Sequence, residues 1–166
     1  MDSLAFKSIM ASFPSGVSVV TVTDTAGEPR GLTCSAVCSV SLEPAMLLVC
    51  VGNHSNTLPV LQERGSFVVN FLADDSYDIA LKCASKASDK FSDVRWRSSK
   101  HADGAPILID NVAAYAECQV HETVDAGDHV IFIAKVVDGA LYSSRDPMVH
   151  ARGSVKQWVK SEAHAA

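Results

Sequence analysis

The 166-residue sequence has none of the short motifs that bind phosphate or activate a nucleophile in many common enzyme classes. It lacks a GxxxxGK[ST] phosphate loop, a GxGxxG dinucleotide turn, an HExxH metal motif and a GxSxG nucleophile elbow. These absences exclude nucleotide binding by a Walker or a Rossmann mechanism. They also leave no ready-made zinc protease or serine hydrolase site.

Positive charge and long apolar runs are also scarce. Lys and Arg number 14 against 19 Asp and Glu, so no nucleic acid or anionic membrane partner is expected. The longest apolar run, Ala45 to Val51, is far shorter than the about 20 residues that span a bilayer. Residues 1–13 include Asp2 and Lys7 and have no continuous apolar signal-peptide core, so the expected location is the cytoplasm.

The five cysteines are an odd number without a CxxC pair, which favours free thiols in a reducing compartment. Cys34 and Cys38 have the spacing of a metal pair. On a strand, however, residues four apart lie about 13 Å from each other, whereas zinc holds sulfur at about 2.3 Å. No metal site is expected, and buried structural thiols are the preferred interpretation.

Hydrophobic patterning predicts one mainly β domain over residues 1–166. Phe6, Ile9, Met10 and Phe13 form one apolar stripe of an initial helix, which Pro14 ends. Ser55 is predicted to be the N-cap of a short helix ending at Gly65, and a further helix is predicted over 75–85. Strands are predicted over 17–23, 31–41, 46–51, 66–72, 112–120 and 129–137, the last two as a hairpin around a turn at 125–128. Six or seven strands with few helices indicate an antiparallel β-barrel with helices outside it or at its ends.

Two segments carry candidate site chemistry. The stretch from Arg30 to Ser41 combines glycine, small side chains and hydroxyls, so a planar ligand can approach its backbone and find hydrogen-bond partners. An ordinary exposed strand would have the same composition. Asp128 and His129 begin the second hairpin strand, where a histidine can exchange protons near neutral pH, although a plain surface histidine fits as well.

Taken in order, a series of landmarks along the chain resembles one family, the short-chain flavin reductases, which are the small reductase partners of two-component flavin-dependent monooxygenases. The resemblance runs from Phe13 to about Gly153 and implies an FMN-binding split β-barrel of antiparallel, Greek-key type with a few flanking helices. The landmarks are FPSGV at 13–17, PRGLT at 29–33 with SA at 35–36, CSVSLEP at 38–44, LVCV at 48–51, SNT at 55–57, FVVNFL at 67–72, DKF at 89–91 and GDH at 127–129.

The resemblance also implies roles for individual residues. It places the flavin ring along residues 33–39 and beside residues 50–51, and it places the ribityl phosphate near Ser55, Thr57 and Lys90. It gives His129 the nicotinamide side of the site, as the catalytic candidate, with Asp128 and His150 as further nicotinamide contacts. The whole flavin set is Arg30, Thr33, Cys34, Ser35, Ala36, Ser39, Cys50, Val51, Ser55, Asn56, Thr57, Lys90 and Phe91.

The segment 147–155 departs from the family pattern, because His150 and Val155 stand where relatives carry aromatic rings. This departure leaves the pyridine-nucleotide preference open. The implied protein is a homodimeric oxidoreductase that uses NADH or NADPH to reduce FMN or FAD for a separate monooxygenase. A flavin-binding electron-transfer or storage protein is the alternative. A hydrolase or lyase using Asp128 and His129 is a third and weaker one.

Overall fold

The computed structural model describes residues 1–156, so the last ten residues of the predicted domain lie outside the described part. In this part of the chain three helices flank the strands: α1 (Ser3–Met10), α2 (Leu58–Arg64) and α3 (Tyr77–Ala84). None of the helices within residues 1–156 is long and apolar enough to cross a membrane. The strands are β1 (Ser15–Gly16), β2 (Ser18–Thr23), β3 (Pro29–Cys34), β4 (Val37–Leu42), β5 (Ala45–Gly52), β6 (Ser66–Leu72), β7 (Trp96–Ser98), β8 (Pro106–Leu108), β9 (Val112–Ala126), β10 (His129–Leu141), β11 (Val149–Ala151) and β12 (Ser154–Lys156).

Seven strands form the main antiparallel sheet, in the order β3-β2-β6-β9-β10-β5-β4. The sheet curls so that Ser35 and Ala36, which connect the edge strands β3 and β4, lie next to β5. The amide N–H of Cys50 in β5 donates to the carbonyl of Ala36, at 3.0 Å. The thiol of Cys34 contacts the carbonyl of Cys50, at 3.5 Å. The predicted antiparallel, mainly β fold is therefore confirmed.

The largest of three apolar clusters among the described residues fills the interior of the curled sheet. Phe67 of β6 and Phe132 of β10 meet edge to face, with ring centroids 6.4 Å apart. Leu58 and Leu61 of α2 are buried against the same core. Edge-to-face packing and the β-branched residues of β2 and β5 fix the positions of the strands that line the site.

Apolar residues at every second position from Val112 to Val120 predict that β9 is a half-buried strand with Glu117 on its polar face. This prediction is only partly right, because Glu117 is only 2% exposed. The segment between β7 and β8 packs over that face, and a carboxylate oxygen of Glu117 accepts hydrogen bonds from the His101 amide, at 2.9 Å, and from the Ser99 hydroxyl. A covering segment distant in sequence therefore converts a polar strand face into a buried one.

Several predicted boundaries need correction. The extended stretch 31–41 is two strands, because the chain changes direction at Ser35 and Ala36. Ser55 is not the N-cap of α2. Thr57 is, while the Ser55 hydroxyl accepts the Thr57 amide in the preceding turn, at 3.2 Å. The hairpin strands β9 and β10 extend beyond their predicted ends, to Ala126 and Leu141.

Candidate functional site

A long groove crosses one end of the barrel, formed by four adjoining depressions that share lining residues. The first, here called the cationic cleft, includes Arg30, Lys86 and Lys90. The second, the polar pocket, shares Lys86, Lys90 and Thr57 with it. The third, the α3 depression, shares Thr33 with the polar pocket. The fourth, the wide depression, has a volume of about 670 Å³ and shares Ser35 and His150 with the third.

The polar pocket lies where β3 meets the loop before α2. Its hydroxyl and amide groups come from Thr33, Ser55, Asn56 and Thr57. Thr57 is 4% exposed and its side chain makes no capping bond to α2. The Thr33 hydroxyl donates to the carbonyl of Ala80, at 2.5 Å, and so ties α3 to β3. This wall therefore concentrates hydrogen-bonding groups of the kind that bind a phosphate.

Lys90 supplies the positive charge of this pocket. Its Nζ donates to the carbonyls of Gly31 and Cys83, at 2.9 and 3.0 Å. Burial lowers the pKa of Lys90 below the ordinary lysine value. An ammonium group has three N–H donors, so one is left for an anion in the pocket beyond these two described bonds. Lys90 thus both joins β3 to the end of α3 and faces the groove.

The wide depression has a floor of small side chains at the turn between β3 and β4. Ser35 and Ala36 are exposed there, and Cys50 lies half-buried beside them. His150 of β11 borders both this depression and the α3 depression, and it pairs with Ser15 of β1 in the strand register. Such a floor leaves room for a flat ring to lie close to the backbone.

His129 begins β10 beside the groove, opposite Gly52, the residue that ends β5. Its Nδ1 contacts a carboxylate oxygen of Asp128, at 2.7 Å. This contact lowers the pKa of the Asp128 carboxyl. Asp128 belongs to the turn rather than the strand, so its side chain reaches the histidine although adjacent strand residues face opposite ways. The histidine itself is not among the residues that line the four depressions.

Four predicted flavin contacts point away from the groove. Cys34 is in the core, where burial raises the pKa of its thiol to about 11. Val51 is fully buried, and the Phe91 ring packs under Gly31, so their side chains also serve the core. Ser39 lies next to a β-bulge and lines an apolar cleft that adjoins the wide depression at Gly16 and Val37 but is not one of the four depressions.

Two further groups line the groove but were absent from the sequence prediction. Lys86 borders both the cationic cleft and the polar pocket. Tyr77 and Leu81, on the exposed face of α3, line the α3 depression. The only sequence signal for Lys86 is its position shortly before Lys90 of the SDKF segment (88–91). Within residues 1–156, no cluster of three or more His, Cys, Asp or Glu side chains could hold a metal ion.

Comparisons with known proteins agree on one family. A model of the flavin reductase like domain matches residues 10–159. The chain is 43% identical to the flavin reductase (NADH) of Kitasatospora aureofaciens over 98% of this chain and 85% of that protein. The NADH:FAD oxidoreductase of Streptomyces globisporus C-1027, solved with NAD and FAD fragments, has a TM-score of 0.91 at 30% identity, covering 97% and 95% of the two chains. The flavin reductase component of a bacterial two-component tryptophan halogenase has a TM-score of 0.84 at 33% identity, covering 93% and 97%.

Proposed function

Because this chain belongs to the flavin reductase like domain family, we propose that it reduces flavin with NADH or NADPH in the groove at the end of its barrel. The observation that carries this proposal is the continuity of the groove. It joins a floor of small side chains at Ser35 and Ala36 to the phosphate-binding groups around Thr57 and Lys90. A ligand with a flat ring and a phosphate-bearing tail needs both a floor of small side chains and phosphate-binding groups within one groove.

The chemical step itself comes from the bound cofactors, since flavin and nicotinamide exchange a hydride between their own rings. The protein supplies orientation. Ser35 and Ala36 let one face of the ring approach the backbone, while Thr57 and Lys90 hold the tail. The Asp128 carboxylate keeps the His129 ring in a fixed orientation, with its other nitrogen directed away from the carboxylate.

We expect His129→Ala to lower kcat/KM for the nicotinamide nucleotide by about three- to a hundredfold, because a neutral or charge-assisted hydrogen bond to the nucleotide is lost. Flavin affinity should change less than about twofold, since His129 does not line the depressions. Stopped-flow hydride transfer to enzyme-bound flavin measures the first value and fluorescence titration the second.

His121→Ala, on the exposed part of β9, is the matched control and should leave both constants unchanged. A nucleotide-positioning histidine changes KM or the nucleotide Kd. A proton donor instead lowers kcat and removes a step from the pH profile between pH 5.5 and 8.5. Unchanged rate and affinity in His129→Ala would remove this residue from the site.

An electron-transfer or storage protein on the same barrel is the alternative activity. The two differ in turnover, because a reductase oxidises many equivalents of NADH in air with a trace of flavin. A storage protein reacts once for each flavin bound. Measuring NADH oxidation at catalytic and at stoichiometric flavin therefore separates them.

We also propose that the reduced flavin is passed to a separate monooxygenase or related oxygenase in the cytoplasm. The likeness to the reductase component of a two-component halogenase supports a partner enzyme of this kind. The five free cysteines support a reducing compartment. In the test, a dialysis membrane separates the oxygenase from a solution of this protein, NADH and flavin. If reduced flavin diffuses between the two proteins, the oxygenase should still turn over.

The proposed assembly is a homodimer, and the exposed apolar stripe of α1 supports it. Helix α1 has no buried residue, and Phe6, Ile9, Met10 and Phe13 are 56, 56, 48 and 71% exposed. An apolar cleft next to β4, lined by Leu42 among others, adds to this uncovered surface. Contiguous apolar surface of this kind marks an interaction site rather than a solvated face.

Ile9→Asp should weaken self-association by at least about tenfold, because an apolar contact worth about 1.5–3 kcal/mol is replaced by a charge that must be desolvated. Sedimentation velocity over a concentration series measures the change. Leu141→Asp is the matched control, since Leu141 is 76% exposed at the far end of β10. A wild-type chain that is monomeric and fully active at micromolar concentration contradicts the dimer.

A further inference from the structure

The turn that follows β5 is hydrogen-bonded to the tip of the β9–β10 hairpin. The backbone amide of Asn53 donates to the carbonyl of Asp128, at 2.9 Å, and its side-chain Nδ2 donates to the carbonyl of Gly127, at 3.3 Å. Gly127 and Asp128 are the two residues that connect β9 to β10. One residue outside the hairpin therefore holds both carbonyls of the turn that leads into His129.

The position of the His129 ring depends on this turn. Its Nδ1 contacts the Asp128 carboxylate, at 2.7 Å, and its Nε2 lies over Gly52, where an added Cβ would be 3.7 Å away. Residues 121–129 are all exposed, so apolar packing does little to fix the tip of the hairpin. Besides the strand pairing with β5, the two bonds from Asn53 hold this tip against the barrel.

The same turn forms one wall of the polar pocket. Residues 54–57 follow Asn53 directly and all line that pocket, whereas Asn53 itself lines none of the four depressions. The amide of Ser55 donates to the carbonyl of Gly52, at 2.9 Å, and the amide of Leu58 donates to the carbonyl of Ser55, at 3.1 Å. These bonds join the wall and Asn53 in one short unit. A ligand that orders the wall therefore also orders Asn53.

We propose that Asn53 is a positioning residue for the nucleotide: it transmits the order that a flavin phosphate imposes on residues 54–57 to the hairpin tip that carries His129. The inference rests on the proposed function and adds a coupling between its two ligands. Its physical basis is conformational entropy, because a tip that the flavin has already ordered costs the nucleotide less to order again.

The coupling predicts that the protein binds nicotinamide nucleotide more tightly when loaded with FMN than when loaded with riboflavin, which has no phosphate. Coupling between two binding free energies is reciprocal, so the nucleotide should favour FMN over riboflavin by the same factor. NAD⁺ is the probe, because neither NAD⁺ nor an oxidised flavin donates a hydride. In the wild type, calorimetric titration should give an NAD⁺ affinity about three- to tenfold higher with FMN than with riboflavin.

Asn53→Ala should remove most of this difference, because it deletes the side-chain bond to Gly127. Asn53→Asp, which keeps the shape but has no N–H donor, should do the same. In both variants, the FMN affinity without NAD⁺ should stay within about twofold of the wild type and the Tm within a few degrees. Asn111→Ala is the matched control. It deletes a comparable amide bond, to the Ser76 hydroxyl at 3.4 Å, and should leave the difference intact.

A double-mutant cycle shows whether Asn53 acts through His129. In the wild-type background, Asn53→Ala should lower kcat/KM for NADH by about two- to tenfold, the effect of one neutral hydrogen bond. In the His129→Ala background, the same change should have less than about a twofold effect, because the residue that it positions is gone. A general loss of stability would instead lower kcat/KM equally in both backgrounds.

Three results would overturn the inference. Equal NAD⁺ affinities with riboflavin and FMN in the wild type would mean that the two ligands are not coupled. An undiminished difference in Asn53→Ala would mean that another contact transmits the coupling. Equal losses of kcat/KM in the two backgrounds would reduce Asn53 to a structural residue. Coupled NAD⁺ and FMN binding without NADH oxidation would instead support the inference and contradict the proposed reductase activity, so the two failures are distinguishable.

Discussion

Replacing Ser35 with phenylalanine should weaken FMN and FAD binding by about five- to more than a hundredfold. Ser35 lies at the turn between β3 and β4, where the α3 depression and the wide depression meet. An added ring there occupies the space proposed for the flavin ring, and forcing both into one site costs at least about 1–3 kcal/mol. Because Ser35 is exposed, the larger side chain should not disturb the barrel core.

Fluorescence titration measures the loss, and thermal unfolding checks the fold. Ser143→Phe introduces the same ring at an exposed turn outside the groove and should leave flavin affinity within about twofold. Ala36→Phe, one residue along the same floor, should reproduce the effect of Ser35→Phe. A folded Ser35→Phe protein with wild-type affinity would mean that the ring binds elsewhere.

The barrel was largely predictable from sequence because its strands are marked by local composition. β-branched and apolar runs identify β2, β5, β6 and β10. These runs predict buried strands without reference to residues distant in sequence. The break at Ser35 and Ala36 was not predictable, since the same small residues continue on both sides of it. The hydrogen bond from Cys50 to Ala36 that accompanies this break joins residues that only the folded sheet brings together.

The site was predicted as a set of segments more accurately than as a set of side chains. A strand that lines a groove turns some of its residues toward the core, as Cys34 and Val51 show. The resemblance assigns whole segments and does not distinguish these two directions. Lys86 was missed for the opposite reason, because a lysine in a loop looks like a solvated side chain until the fold places it beside Lys90.

Lys90→Ala should weaken FMN and FAD by up to about a hundredfold, because the lost ammonium contact with the phosphate is worth about 1.5–3 kcal/mol. Burial makes this contact less screened than that of an exposed lysine such as Lys86, and it has already lowered the pKa of Lys90. A bound phosphate favours the charged form and should raise that pKa again. Loss of the bonds to the carbonyls of Gly31 and Cys83 should also loosen the junction of β3 and α3.

Riboflavin separates the two contributions, since it has the ring and no phosphate. We expect Lys90→Ala to weaken riboflavin only a few-fold, through the loosened junction, and the phosphate-bearing flavins far more. Lys90→Arg should restore part of the FMN affinity because it keeps the charge, whereas Lys82→Ala, which removes a lysine of α3 paired with Asp93, should change none of the three. Equal losses of riboflavin and FMN in Lys90→Ala would reduce Lys90 to a structural link between β3 and α3, and the phosphate would then have to be held by the hydroxyl and amide groups around Thr57 alone.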